Sequence, residues 1–318
     1  MRSTYPYGVR AEGRRDAQSP KRPIAQSPGT DTPATPRPYG LRPLTPVIVM
    51  RPRLLALTLL AAQAASLPAQ SPPASLTYLA NMGVLLDCGG RRVVIDGLHR
   101  GALAEYAAVP PALLAALEQA RPPVARLDLA LSTHRHHDHF DAASVAARLG
   151  ADSGTRYLAA TETVDSLYAR TALAAAHPRV LGVDPPAGGE KRLTVARLEL
   201  SVLHLPHNPT PSPRVANVGF LLDCAGLRIL HVGDADPTAA NYDPHRLASR
   251  PVDIAIVPFW YLTGADDTVR RSIGARLWVA SHIPLADTAA VRRQVLNRVP
   301  GAVVLARPGE EYALRVGR

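Results

Sequence analysis

The sequence predicts an α/β protein, a four-layer αββα sandwich made of two related halves within about residues 74–318. Three observations carry this. A sixteen-residue pattern occurs twice, as Ala80-Asn-Met-Gly-Val-Leu-Leu-Asp-Cys-Gly-Gly-Arg-Arg-Val-Val-Ile95 and Ala216-Asn-Val-Gly-Phe-Leu-Leu-Asp-Cys-Ala-Gly-Leu-Arg-Ile-Leu-His231. Each copy reads as strand, Gly-containing turn, strand, which is a β-hairpin, and two like units an offset of 136 apart indicate related halves. Strand and helix signals alternate through the rest of the chain, which suits mixed sheets with helices outside. Finally, 47% of residues are hydrophobic, enough for a real core.

Taken in order, Pro110–Ala120 reads as a helix and Leu127–Thr133 as a short strand. Asp141 is a suitable N-cap for a helix over Ala142–Leu149, with Gly150 closing it. Arg156–Ala160 reads as strand, Glu162–Ala175 as helix and Arg179–Val183 as strand. Leu193–Ala196 and Leu198–Leu205 look like sheet. After the second hairpin come strands Asp253–Phe259 and Leu277–Ser281, helix Asp287–Val299 and strand Ala302–Ala306. Arg307-Pro-Gly-Glu-Glu311 reads as a hairpin turn. Asp266, Asp267, Arg270 and Arg271 form a charged, solvated helix start.

The front of the chain has another character. Residues 1–49 are rich in Pro, Arg, Ser and Thr, with no hydrophobic period, and cannot offset chain entropy by burial. They are expected to be disordered, or a spurious upstream extension with the true start at Met50. Basic Met50-Arg-Pro-Arg53, apolar Leu54–Ala65 and small-residue Ser66-Leu-Pro-Ala-Gln-Ser71 then make the three parts of a secretory signal peptide, residues 50–69. Cleavage fits after Ala64 or Ala69. The apolar run is shorter than the roughly 20 residues that span a bilayer, so no membrane span is expected after cleavage. The product is expected to be exported, periplasmic or secreted. Residues 1–53 also hold ten of the 36 Lys+Arg but three of the 26 Asp+Glu, which leaves only +3 of the net +10 for the remainder. No nucleic-acid partner is expected from so small an excess.

Thr133-His-Arg-His-His-Asp-His-Phe140 packs four His and one Asp into eight residues directly after a strand. Imidazole and carboxylate at this density suit borderline divalent metals. His134 and His136 lie two apart, so an extended chain presents them on one side. Asp138 and His139 follow where the chain turns and can face a second point a few ångströms away. Further on, His207, Asp234 and His282 each close an apolar strand, where loops build sites on a rigid scaffold. His204, three residues before His207, could replace it as a ligand; His207 is preferred because it lies beyond the strand. The two Cys exclude a disulfide-rich scaffold and a four-cysteine metal site. Cys88 and Cys224 sit at matching spots in the two hairpins. Export would permit a disulfide, but equivalent positions need not be neighbours, so two separate thiols are expected.

His134-x-His136-x-Asp138-His139, Gly233-Asp234 and the late His282 together resemble the metallo-β-lactamase-fold (MBL fold) metallo-hydrolase superfamily, in its broad lactonase- and phospholipase-like branch, over roughly residues 75–318. Asn81-Met-Gly, Val94-Ile-Asp96 and Pro258-Phe-Trp260 agree with it. The resemblance implies the four-layer fold and two divalent metal ions, zinc first, with Mn, Fe or Ni also suited to such a donor set. It implies that His134, His136 and His207 bind one ion, that Asp138, His139 and His282 bind the other, and that Asp234 bridges them. His231, Asp96, His204 and His137 are expected to support the ligands, and His177 and His245 to lie at the surface; His99, after the Asp96 strand end, could line the cleft, with a surface place preferred. Trp260 and Tyr261 either wall the cleft or pack in the core.

The activity implied is a metal-dependent hydrolase of a small-molecule ester, lactone, amide or phosphodiester. Two ions sharing a water lower its pKa toward neutrality, so that a bridging hydroxide can attack, and Asp138 is placed to orient it and move a proton. The sequence departs from many true β-lactamases in having no Cys ligand, Asp234 standing at that place in the motif order. It departs from flavin-linked di-iron members, which carry Glu where His136 stands. A nuclease or phosphodiesterase acting on nucleic acid and a non-catalytic binding protein on the same scaffold are the alternatives.

Overall fold

Continuously apolar strands, buried on both faces, build the two central layers. The computed structural model describes residues 74–101, 103–209, 215–264 and 266–314; the expectations for residues 1–49 and for the signal peptide at 50–69 lie outside the described residues. The first half runs β1 (Ser75–Ala80), β2 (Gly83–Asp87), β3 (Arg92–Ile95), α1 (Pro111–Glu118), β4 (Leu129–Ser132), α2 (Ala142–Ala151), β5 (Arg156–Ala159), α3 (Thr161–Arg170) and β6 (Val180–Gly182). The second runs β7 (Glu190–Val195), β8 (Leu198–His204), β9 (Val218–Cys224), β10 (Leu227–His231), α4 (Ala239–Tyr242), β11 (Ile254–Pro258), α5 (Trp260–Thr263), α6 (Thr268–Ile273), β12 (Leu277–Ser281), α7 (Thr288–Arg298) and β13 (Val303–Val304). A last strand, β14 (Glu311–Ala313), returns to the first sheet.

The two seven-stranded sheets have one plan, β14-β1-β2-β3-β4-β5-β6 and β7-β8-β9-β10-β11-β12-β13. In both, an antiparallel part leads through the repeated hairpin (β2–β3, β9–β10) into parallel strands. Period-two alternation then sorts the side chains. Val84, Leu86, Phe220, Leu222, Ile254 and Ile256 meet between the sheets. Their neighbours Leu85, Leu221 and Ala255 point outward, onto α1–α3 in one half and α4–α7 in the other. Phe220 is 0% exposed, a burial that stabilises by roughly 2–3 kcal/mol. These are the four layers that the sequence predicts. No helix of the described residues is long and apolar enough to cross a membrane.

The residues shared by the two repeats have structural duties. Asp87 and Asp223 accept from Gly90 N and Gly226 N and so close the two hairpin turns. A Cβ at Gly83 would lie 2.7 Å from Asp96 O, so only glycine lets β2 approach the end of β3. Cys88 and Cys224 form a disulfide between the sheets, Cα–Cα 4.6 Å, which corrects the expectation of two free thiols. The halves face each other so that the far ends of the two hairpins coincide, and equivalent positions there become neighbours.

Element ends differ in places. Gly150 lies inside α2, which runs on to Ala151, while Asp141 caps its start by accepting from Ser144 N. Helix α3 stops at Arg170 and not near Ala175, because Thr171 Oγ1 donates to Leu167 O and takes a carbonyl the next turn would need. The turn at 307–311 does not close a hairpin: it carries the chain from β13 in one sheet to β14 in the other.

Closing a loop with a sequence separation of 136 removes much unfolded-chain entropy, worth about 3–5 kcal/mol. A Cys88→Ala/Cys224→Ala variant is expected to lose stability of that order in denaturant unfolding, and the unreduced wild-type chain to show no titratable thiol.

Candidate metal centre

The centre lies where β1, β3, β4, β10 and β12 run out. After β4 the chain bends at Thr133, His134 and His136 and brings both imidazoles to the centre, while Arg135 reaches Glu162 on α3 (2.6 Å). Glu162 also accepts from Ala216 N, which ties this loop to the start of the second hairpin. A turn follows, in which His139 N and Phe140 N donate to His136 O, and it swings Asp138 and His139 inward. The second half supplies His207 after β8, Asp234 after β10 and His282 after β12.

These seven side chains converge. His134, His136 and His207 offer ligand atoms within 4.8 Å of one another, and so do Asp138, His139 and His282. The His134 ring lies 4.7 Å from that of His207 and 4.0 Å from that of His139. Asp234 Oδ2 stands 3.4 Å from His139 Nε2, 3.4 Å from His282 Nε2 and 4.0 Å from His207 Nε2. His139 Nε2, His207 Nε2 and Asp234 Oδ1 are buried without a hydrogen-bond partner among the described residues. Inward-facing imidazole nitrogens and carboxylate oxygens left without hydrogen-bond partners are what divalent cations require, so the donor set fits.

Asp96 holds this arrangement. Fully buried, it accepts from Thr133 N (2.7 Å), Thr133 Oγ1 (2.7 Å) and His139 Nδ1 (2.9 Å). Because the Thr133 hydroxyl donates to Asp96, it is left to accept from His134 Nδ1 at 3.1 Å. Both His139 and His134 are thereby fixed with Nε2 toward the centre, the familiar carboxylate–histidine support of metal ligands. Several site residues occupy the left-handed region, Asn81 at φ 49°, Asp96 at 49°, Gly233 at 59° and His282 at 60°. Such strain persists only where surroundings enforce it: His282 N donates to Asn81 O at 3.2 Å, and Ser281 Oγ donates to the same carbonyl. At Gly233 a Cβ would come within 2.6 Å of Asn217 Oδ1 and Thr133, so the glycine before Asp234 is required twice over.

Burial and neighbouring imidazoles push His134 well below the ordinary histidine pKa, and His136 below it. Burial opposes charge on His139 as well, but Asp234, Asp138 and Asp96 outweigh it and hold its pKa well above the usual value. Burial would raise Asp234 and Asp138, yet the imidazoles of His139 and His282 hold both down.

Asn81 and Asn217, the asparagines of the repeat, are site residues that sequence reasoning passed over. Asn81 Nδ2 donates to Asp138 Oδ2 at 2.7 Å. Asn217 Nδ2 donates to Leu205 O and Val232 O, and its Oδ1 accepts from Asp234 N at 3.4 Å. Their recurrence at an offset of 136 was the signal available. Other expectations need correction. His204 touches none of the seven residues; its Nδ1 accepts from Gly188 N, because the side chain at the end of β8 faces the β7 side. His231 supports the centre only indirectly, donating from Nε2 to Met82 O and accepting from Gly233 N at Nδ1. His137 is exposed, on the outside of the 136–140 turn. His99 and His245 are buried and not at the surface, tied to Gly101 O and His204 O. Tyr261 packs in the core with its hydroxyl donating to Ala235 O, whereas Trp260 and Tyr106 flank the His282 ring at 5.0 and 4.2 Å.

A family model for the beta-lactamase superfamily domain matches residues 75–266. The chain belongs to this superfamily. A possible metal-dependent hydrolase from Veillonella parvula superposes with a TM-score of 0.52 at 14% identity, over 76% of this chain and 100% of that one. The metallo-beta-lactamase fold protein YhfI from Bacillus subtilis gives 0.51 at 16% identity, over 76% and 99%. An isothiocyanate hydrolase from Delia radicum gut bacteria gives 0.51 at 15%, over the same shares, 76% and 99%. At such identities the likeness concerns the fold. No curated protein matches the chain.

Two outcomes are expected. Asp96→Ala lowers metal affinity by about 10–100-fold, while Thr133→Val weakens chiefly the set containing His134; metal content after graded chelator exposure reads both. The raised His139 pKa adds stability to the metal-free chain below its unfolded value, near pH 6.5, that is lost as pH rises through the folded value, and the depressed Asp234 pKa adds stability above about pH 4 that is lost as pH falls. A cation must displace the His139 proton, so zinc added at pH 7 in weak buffer releases protons, and fewer from His139→Ala.

Proposed function

We propose that this chain is an exported, dinuclear metal-dependent hydrolase of a small-molecule ester, lactone, amide or phosphodiester. One observation carries the dinuclear reading: the Asp234 carboxylate reaches His207 of one three-ligand set and His139 and His282 of the other, at 3.4–4.0 Å. His134, His136 and His207 would hold the first ion, Asp138, His139 and His282 the second, and Asp234 would join them. Zinc is the ion proposed. When bound, such a pair supplies Lewis acidity and a lowered pKa for water.

The chain's own residues do the rest. Asn81 fixes the Asp138 carboxylate by donating to Oδ2. His139 and His282 keep Asp138 ionised despite its burial, so at neutral pH it can accept a proton from the attacking water. Asp138 then delivers that proton to the leaving alcohol or amine. Trp260 and Tyr106 restrict the His282 ring from two sides, so its direction is set before substrate arrives. Export is supported by the three-part segment at 50–69 and by the Cys88–Cys224 disulfide, a bond that persists in oxidising compartments.

His136→Ala and Asp138→Ala are each expected to lose metal and turnover together. The check is metal analysis of purified protein, followed by ester, lactone, amide and phosphodiester substrates with and without chelator. Full metal content and turnover in a folded His136→Ala variant would overturn the assignment.

A further inference from the structure

The near balance of charge over the folded region conceals a local excess. At the end of the sandwich remote from the metal centre lies a cleft of ≈ 710 Å³ whose lining includes Arg91, Arg126, Arg156, Arg179 and Arg197 against one acid, Asp128. Asp128 and His134 stand at opposite ends of β4, six residues apart along extended chain, a separation of about 20 Å. The cleft is therefore distinct from the seven-residue centre.

How these arginines are held decides what they can do. Arg91 donates to Ala196 O at 3.1 Å, which ties the first hairpin turn to the β7–β8 turn, and lies 3.6 Å from Asp128. Arg179 donates to Leu149 O, Asp152 O and Thr155 O at 2.6–3.0 Å. Backbone carbonyls thus fix both guanidiniums, and that of Arg179 without an acidic partner among the described residues. Asp128 is divided among Arg91, Arg126 at 3.2 Å and the backbone N of Arg92 at 2.9 Å. Arg156 and Arg197 are exposed and have no acidic partner among the described residues. Arg197 sits in the tight β7–β8 turn, with Ala196 and itself both at positive φ, so its backbone position is restricted.

Like charges gathered in a concave site repel one another and focus a positive potential outward. Guanidinium forks match phosphate and sulfate oxygens two at a time. The volume lies in the range of small-molecule sites, and Leu181, 41% exposed, and Val195 add apolar lining for an organic body. We propose that this cleft is a second binding site, taking a small organic polyanion that carries two or more phosphate or sulfate esters.

The test is calorimetric titration of the metal-loaded full chain with two weakly chelating probes, glucose 1,6-bisphosphate and sucrose octasulfate. Saturable binding of either probe, weakened about tenfold or more by raising NaCl from about 50 to about 500 mM, is expected. Arg156→Ala/Arg197→Ala should lose about tenfold or more in affinity at unchanged metal content and turnover, and Arg126→Glu should do likewise. His136→Ala, which empties the metal centre, should keep the affinity. The proposal is overturned if the arginine variants bind as the wild type does, if His136→Ala abolishes binding, or if neither soluble probe binds and the chain binds only phosphatidylglycerol vesicles.

Discussion

The centre depends on one buried carboxylate. Asp96 ends β3 in a left-handed turn and accepts three hydrogen bonds from the strand beside it and the loop beyond. A carboxylate in the interior is costly unless its oxygens are satisfied, and here the satisfying groups are the supports of the ligands. Through His139 directly and His134 by way of Thr133, Asp96 sets the tautomer in each three-residue set. Ligand orientation is therefore inherited from the β3–β4 register, in which Ile95 pairs with Leu131, and not left to flexible loops.

The duplicated architecture explains why the donors divide as they do. Four come from the loop after β4 in the first half, and three from separate strand ends in the second. Each half adds an asparagine from its own hairpin: Asn81 restrains Asp138 and Asn217 restrains the backbone at Asp234. The same hairpin thus steadies an acid in each half, although the acids reach the centre from different loops. Two-sheet packing then fixes the distance between the two contributions, because Phe220, Leu222, Val84 and Leu86 leave no slack between the layers.

Legibility in the sequence followed the range of the interactions. Short apolar strands, the Asp141-capped helix and the His134–His139 run announce themselves within ten residues, and the structure has them in place. The candidate ligands His207, Asp234 and His282 stand out as polar residues closing apolar strands, but their convergence follows from resemblance to a family rather than from local pattern. What stayed hidden needs partners far along the chain. Strand β1 pairs with β14, more than 200 residues away; the 307–311 turn looked local and instead changes sheet; His99 and His245 read as polar surface until loops fold over them. The two asparagines recur in the repeat, but recurrence of a hairpin position says nothing of what its amide faces.

The disulfide joins residues that the internal duplication makes equivalent, and its sequence separation equals the offset of the repeat, 136. The bonded sulfurs place the two equivalent hairpin turns against each other, as a local two-fold axis between the halves would. A half-length ancestor that self-associated about that axis would have needed a single cysteine to become covalently locked as a homodimer. In the fused chain the same bond clamps one pole of the sandwich, and the histidines gather at the opposite pole, which no disulfide among the described residues ties down.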